Sequence, residues 1–555
     1  LVINSKEKRG RAYFEALSFD YIIDKLILFI IIISLLTFIL YPIIMVISTS
    51  IYEDGVFSLD NYKTLLSPQN IKLIKNSLFV STLSSIFGTF FALCISLFTF
   101  LQKGRLKRLI HRSLMITMIS PPFVSALALI MLFGRRGLIT YNLLGLSVNP
   151  YGWQGIVLLQ TIGHISLASM MLITTLNSID SRQILASRDL GATPMETLFN
   201  VILPATFPGI MSVLFLQFTM NLADFGTPII IGGRYKVLAT EAYMTIFSTA
   251  NLGKGAAISV LLIPPAIIAF HFYRKNMSKI DNLTDGAKSI GADNYEFNLP
   301  IAFKFVLALA TGIFFFLMIL KYGNIFLSAI STNSSGKLIF TLSHFNKVKS
   351  AHLPALYRSI VLSVTSGIIS SIIGILLSYY THRRNIPLMK NMEFISSLPY
   401  IIPGIFFGLG YVVAFNDKPL LLTGTSAIVI LNCTFRHISV SNKAANATFT
   451  TMDKKIEDAA RDLGASRFRI FVDIIFPLLK STFLISFINT FTACMTTVGA
   501  IIFLVSPRNV VASIEMFKDI SNGQYGLGAV MASFLIIITV SVNLIAMKLL
   551  AKERE

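Results

Sequence analysis

Charge is what this sequence has least of. Of its 555 residues only 13% are Asp, Glu, Lys or Arg, about half the share of an average soluble domain, and that scarcity excludes an ordinary water-soluble globular protein. Cysteine is nearly absent too: Cys94, Cys433 and Cys494 are scattered through apolar stretches without metal-ligand spacing, so no metal site is expected and packing is their default role. Acidic residues number 27 against 47 basic ones. A GxxxxGK[ST] phosphate loop is missing, so the chain is expected neither to bind nor to hydrolyse ATP itself, and no cofactor is expected on it. No catalytic constellation appears and no enzymatic activity is expected. His164 stands among apolar residues, where a packed, hydrogen-bonded histidine is the default, and the other histidines are placed at span ends or in loops.

What the chain has in abundance is apolar sequence, 54% of its residues, with a mean hydropathy of +0.72. Runs of about 20 apolar residues, enough to cross about 30 Å of hydrocarbon as a helix, recur throughout. They predict an all-α polytopic membrane protein of about twelve spans, near 26-48, 75-100, 113-133, 155-177, 203-223 and 256-273, then 302-320, 357-380, 392-413, 424-440, 474-504 and 528-548. Residues 1-25 are polar and basic, and the apolar run behind them is too long for a signal-peptide core, so it reads as a retained first span. A net charge of +20 raises the question of nucleic acid. With a cytoplasmic N-terminus, however, QKGRLKRLIHR (102-112), THRRNIPLMK (381-390) and the tail 549-555 all fall inside, as the positive-inside rule requires. The basic excess is therefore topology and contact with anionic lipid, with both termini cytoplasmic.

One segment occurs twice. ASRDLGATPMETLFNVILP begins at Ala186 and AARDLGASRFRIFVDIIFP at Ala459, and a step of 273 superimposes Arg188 on Arg461, Gly191 on Gly464 and Pro204 on Pro477. The step continues through Gly226 and Gly499 to Gly253 and Gly526. The chain thus divides into a first unit, 26-273, a cytoplasmic linker, 274-300, rich in Gly, Asp, Asn and Ser, and a second unit, 301-548. Six spans per unit, an even number, make them parallel repeats about an axis along the membrane normal, with a central pathway between them.

Each copy is a polar island in an apolar chain. Asp180 and Asp453 stand where an N-cap acceptor opens a helix of about ten residues. Ile456, Ala459, Ala460 and Leu463 then fall at i, i+3, i+4 and i+7, one narrow face of mostly small side chains. Gly191 and Gly464 sit at the left-handed C-cap, and Thr193-Pro194-Met195-Glu196 or Ser466 opens a second helix. A rigid helix-turn-helix on the cytoplasmic face is expected from each. One such loop reads equally well as an ordinary connector, but two in matched topology point to docking on something in the water.

These two segments resemble the EAA loop, roughly EAA-x3-G-x9-I-x-LP, of permease subunits in binding-protein-dependent ABC importers. The second copy has Asp458 at the acidic position with Ala459, Ala460 and Gly464 in place; the first has Leu185 and Ser187 where the acid and second alanine fall, while Ala186, Gly191, Ile202, Leu203 and Pro204 fit. The resemblance spans nearly the whole chain as two fused permease units, with type-1 cores at about 73-271 and 354-547. It implies a bacterial inner-membrane permease whose two loops couple to two copies of a cytoplasmic ATPase, with an extracytoplasmic binding protein delivering the solute. By the same resemblance Ala186, Arg188, Asp189, Leu190, Gly191, Ala192 and Pro204 carry the coupling in the first loop. Asp458, Ala459, Ala460, Arg461, Asp462, Leu463, Gly464, Ala465 and Pro477 carry it in the second. LADFGTPIIIGGRYKVLATEAY (222-243) is similar to the ferric iron and 2-aminoethylphosphonate branches. Iron is therefore the expected solute, with 2-aminoethylphosphonate, thiamine and polyamine as alternatives.

Polar groups inside spans are the pathway candidates, because an unpaired one costs free energy in lipid and so faces the bundle interior. The matched fifth and eleventh spans carry Gln217, Thr219, Asn221 and Asp224, and Asn489, Thr492, Thr496 and Thr497. Each either lines the central route or bonds between helices. Asp224, whose counterpart is Thr497, either attracts a cation near the outer mouth or caps a short helix. The rival class, an ion-coupled secondary transporter, needs acidic or histidine relays at mid-membrane, and the spans are nearly bare of them.

Overall fold

The computed structural model describes residues 21–53, 56–65, 67–118, 122–134, 137–146, 149–284, 299–334 and 337–552. Helices dominate. Two short antiparallel hairpins, Tyr52–Glu53 with Val56–Phe57 and Ser331–Ser334 with Lys337–Phe340, follow the first span of each half. Residues 1–20 of the expected N-terminal segment and 553–555 of the tail lie outside the described residues.

Eight helices are long and apolar enough to cross a membrane: Tyr21–Ile51, Asn70–Leu101, Trp153–Asn177, Pro194–Ala223, Leu252–Ile280, Ile301–Ala329, Leu353–Arg383 and Tyr525–Leu550. Two bent pairs raise the number to ten, against the twelve expected. The expected span 392-413 is Pro387–Ile401 and Gly404–Ala414 meeting at 114°, with Pro403 starting the second piece. The expected span 474-504 is Arg467–Leu478 and Lys480–Thr496 meeting at 71°, and the helix stops at Thr496. Of the two that do not count, 113-133 is divided between Gly104–Met118 and Pro122–Phe133, since proline is tolerated at a helix start and not inside one. The other, 424-440, lies within the continuous helix Ser426–Thr451, whose Arg436, His437 and Lys443 lower its apolarity.

Three π-helical turns, Leu36–Leu40, Leu198–Ile202 and Ile470–Ile475, each end two positions before a proline: Pro42, Pro204 and Pro477. Proline lacks the N–H that continues the ladder and its ring crowds the carbonyl one turn back, so a widened turn relieves both. The linker placed at 274-300 is in part helical, because Ile263–Thr284 runs straight through its start; residues 285–298 lie outside the described ones.

Packing does not follow the unit boundaries 26-273 and 301-548. The first span of each half packs across onto the other half as well as on its own. In Tyr21–Ile51, Asp24 accepts hydrogen bonds from Arg384 at 2.6 Å and Tyr380 at 3.0 Å. Phe38 stacks on Phe435 at 5.0 Å, and Tyr411 Oη donates to the Phe38 carbonyl at 2.8 Å. Conversely, in Ile301–Ala329 Leu307 packs with Leu97 and Ile184, and Phe314 and Met318 pack with Ile95, Ile110 and Ile165. The outward faces keep large apolar side chains such as Phe305 and Ile319 exposed, which only a lipid environment makes favourable.

Candidate functional site

The repeated loops fold alike from local signals. Asp180 accepts from the Arg182 N–H at 3.0 Å and opens Ser181–Asp189; Asp453 accepts from the Lys455 N–H at 3.0 Å and Lys455–Asp462 follows. Gly191 and Gly464 take φ of +87° and +84°, a conformation in which a Cβ is strained. Thr193 and Glu196 then close a reciprocal capping box, and Ser466 accepts from the Arg469 N–H at 3.3 Å. The Asp180 carboxyl is held below its ordinary range by its bonds to Arg182. The first loop's second helix runs on through its π-turn and Pro204 into a membrane span, whereas the second loop's runs through its π-turn and Pro477 to a 71° bend at Leu479 before its span continues.

Leu190 and Leu463, the residues before those glycines, are 89% and 90% exposed. Ala186, Asp189, Asp458, Ala459, Arg461 and Asp462 are exposed around them, while Arg188, Ala192 and Ala465 are half-buried. Arg188 braces the first turn by donating to the Ala192 carbonyl at 2.6 Å. The face expected from Ile456, Ala459, Ala460 and Leu463 is split: Ala460 is buried and the other three point outward. Asp458 is an exposed partner of Arg461 at 3.3 Å. The carboxylate that anchors the loop is Glu457, one residue earlier and missed in the sequence, which lies 2.7 Å from Arg383 Nε with both side chains buried. The approach is off the N–H axis, so the contact is ionic rather than a straight hydrogen bond.

Between the halves lies a cavity of about 460 Å³. Its wall draws on both: Gln160 and His164 from Trp153–Asn177, Thr219 and Asp224 from the Pro194–Ala223 span and its end, Lys321 from Ile301–Ala329, Pro399 to Ile402 at the broken span, Arg436 and His437, and Thr496. Of the eight pathway candidates, Thr219, Asp224 and Thr496 are brought together here; the others are not. Gln217 is buried against Gly88, Asn221 donates to Ser85 at 3.1 Å, and Asn489 is exposed. Thr492 accepts from Asn543 at 3.0 Å, and the Thr497 carbonyl accepts from Ser513 at 2.7 Å.

Asp224 caps the short helix Gly226–Ile231 through the Gly226 and Thr227 N–H groups at 2.9 and 3.2 Å, the second of its two expected roles, and also accepts from Gln160 at 3.3 Å. His437, placed in the sequence without a pair, stands 273 positions after His164, and both line the cavity. Next to Asp224 the halves are sealed by aromatic rings: Phe225 lies 5.6 Å from Tyr243 and 6.2 Å from Phe517, and Tyr243 lies 5.8 Å from Phe503.

Two parallel helical units around a shared cavity, each carrying a rigid water-facing loop at its spans' ends, define a polytopic transport subunit. The chain belongs to the family of binding-protein-dependent transport system inner membrane components, whose pattern matches twice, at residues 63–281 and 370–553. It is 28% identical over 533 residues to the ferric transport system permease protein FbpB of Actinobacillus pleuropneumoniae, covering 93% of this chain and 76% of that protein. It is 29% identical over 204 residues to the molybdenum transport system permease protein ModB of Escherichia coli, covering 35% of this chain and 87% of that one. A Salmonella typhi protein named for 2-aminoethylphosphonate transport is 27% identical over 248 residues, 43% of this chain and 91% of its own. The chain is thus an ABC importer permease, a multi-pass inner-membrane protein working with ATPase and binding-protein partners. The ion-coupled secondary transporter is set aside.

Proposed function

We propose that this permease forms the translocation pathway for ferric iron, with both repeated loops facing the cytoplasm and docking on two copies of the ATPase. The observation that carries the substrate is likeness to a ferric transport permease along 93% of the chain. The docking assignment is supported by the exposed pair Leu190 and Leu463 on capped, rigid elbows.

The crossing first spans support the orientation. Asp24 bonds Arg384, beside the Arg383 that holds the second loop, and Leu299 packs with Ile184 of the first, so both loops lie at the end where each first span begins. With the basic segments inside, that end is cytoplasmic. At the opposite end, a hollow of about 810 Å³ lined by Lys72, Trp153, Arg234 and Tyr235 is the surface we assign to the binding protein.

Transport by alternating access requires the loaded binding protein and the ATP-bound ATPase each to bind the two conformations with different affinity. The helix leaving the first loop carries Thr219 on the cavity wall and ends at Asp224, and the second loop leads past the bend at Leu479 to the helix that carries Thr496, which links each elbow to the wall. Reconstitution with the ATPase and binding protein tests the reading: iron-loaded binding protein is expected to stimulate ATP hydrolysis. Stimulation by 2-aminoethylphosphonate, thiamine or polyamine and not by iron overturns the substrate.

A further inference from the structure

The charge of the central cavity runs opposite to what a bare cation needs. Its one carboxylate is Asp224, already engaged as a helix cap, whereas Lys321 and Arg436 present two cationic groups to the same space. Lys321 is 7% exposed, with Tyr322 5.2 Å beneath its ammonium. Among the described residues neither cation has a carboxylate within ion-pair distance, and Arg436 Nη1 is shielded from water without a hydrogen-bond acceptor. A guanidinium stays protonated in proteins. Held unpaired in a low-dielectric wall, it is costly unless an anion visits.

A second feature points the same way. The helix Gly404–Ala414 begins at the break in its span, and a Cβ built on Gly404 would lie 2.9 Å from Arg436 Nη1 and 3.0 Å from Nη2. The guanidinium therefore rests against the positive end of a helix dipole, like against like, an arrangement that an anion between them would reverse. Glycine at 404 is what leaves room for it. In the first half the position equivalent to Arg436 is Gly163, whose built Cβ meets nothing within 4 Å, so the cavity is cationic on one side and open on the other.

We propose that this cavity is an oxyanion site, with Arg436 and the N-terminus of Gly404–Ala414 as the primary contacts and Lys321 as a further cation on its wall, and that the solute crosses as an anion. Resting on the ferric reading, the cargo is iron ligated by phosphate or carboxylate oxygens rather than a bare ferric ion. Arg436 offers a planar fork matched to two such oxygens, and Lys321 a point charge.

The test is uptake into proteoliposomes holding the permease, its ATPase and its binding protein, supplied with ⁵⁵Fe(III) and ³²P-orthophosphate counted separately. The two labels are expected to enter together, and Arg436→Gln to lower both about tenfold, the loss of one charge-assisted contact. With orthophosphate the only oxyanion supplied, iron entering without phosphate, or at an undiminished rate in both Arg436→Gln and Lys321→Met, overturns the anion site. Phosphate or ¹⁴C-2-aminoethylphosphonate entering without iron, in an Arg436-dependent manner, keeps the anion site and rejects iron instead. Should Arg436→Gln fail to assemble by size-exclusion chromatography, the wild-type double-label result and Lys321→Met decide.

Discussion

Arg383 and Glu457 meet at 2.7 Å beneath the second repeated loop, with side chains only 3% and 12% exposed, and they tie that loop to the span Leu353–Arg383. Arg383 also donates to the Met452 carbonyl at 2.9 Å. In the first loop the equivalent position is Ile184, buried in an apolar cluster with Leu176, Leu198 and Ile202. One loop is anchored by charge and the other by apolar packing. Removing one member of a buried pair strands the other's charge, at about 3–5 kcal/mol, whereas replacing both by apolar groups is close to neutral. Glu457→Gln alone is therefore expected to lower the melting temperature and weaken ATPase binding at this loop. The double variant Arg383→Met/Glu457→Met should recover most of the stability; a double variant no better than the single would refute the pairing.

Leu190 and Leu463 carry the second prediction. A leucine about nine-tenths exposed contributes little to folding, so Leu190→Asp and Leu463→Asp should insert and melt as wild type does. Each is expected to weaken ATPase binding about tenfold, as an anchor side chain lost from an interface does. Pull-down of the ATPase by each single and by the double variant measures this. Full retention by the double variant would remove these leucines from the docking surface.

The glycines after them act through the backbone. No atom lies within 4 Å of a Cβ built at Gly191 or Gly464, so substitution meets no clash, only the cost of positive φ. Alanine is expected to destabilise each elbow by about 1–2 kcal/mol, and asparagine by less. The functional consequence is loss of transport per ATP hydrolysed, with membrane insertion retained. Equal coupling in Gly464→Val and wild type would show that elbow geometry is not what transmits motion.

The elbows were legible in the sequence because every signal that builds them is local: an Asp cap, a glycine, a second cap and a proline within about twenty-five residues. The cavity was not, because its wall comes from nine separated segments whose register drifts. The Leu238 and Ala512 N–H groups make equivalent 2.7 Å hydrogen bonds to Ser77 and Ser359. Yet the donors differ by 274 positions and the acceptors by 282, so the step of 273 that exposed the loops is lost in the earlier spans of each half. Arg436 escaped notice for a related reason. It sits close before the end of the expected span 424-440, where a basic residue reads as topology. Only the break before Gly404 places it at a helix terminus inside the cavity. The crossing first spans leave no local signature at all.

The last prediction concerns the short helix Ala512–Ser521, outside the membrane spans, where His352 Nε2 lies 3.5 Å from Glu515 and 3.7 Å from Asp519. Burial pushes the Asp519 carboxyl up from 3.8 to about 6; Glu515 adds to the rise, while His352 and Lys518 oppose it without prevailing. A carboxyl raised by folding binds its proton more tightly in the folded state than in the unfolded one. The folded chain therefore holds the extra proton between about pH 4 and 6, and this site's contribution to stability falls as pH rises through that window. That is the reverse of the usual salt-bridged carboxylate. Asparagine keeps the shape and removes the titration, so the melting temperature of Asp519→Asn minus that of wild type should grow from pH 4 to pH 6 and then level off. Thermal melts in detergent across pH 4–8 measure it, and a difference flat across that range would mean that Asp519 is ionised throughout, with His352 outweighing its burial.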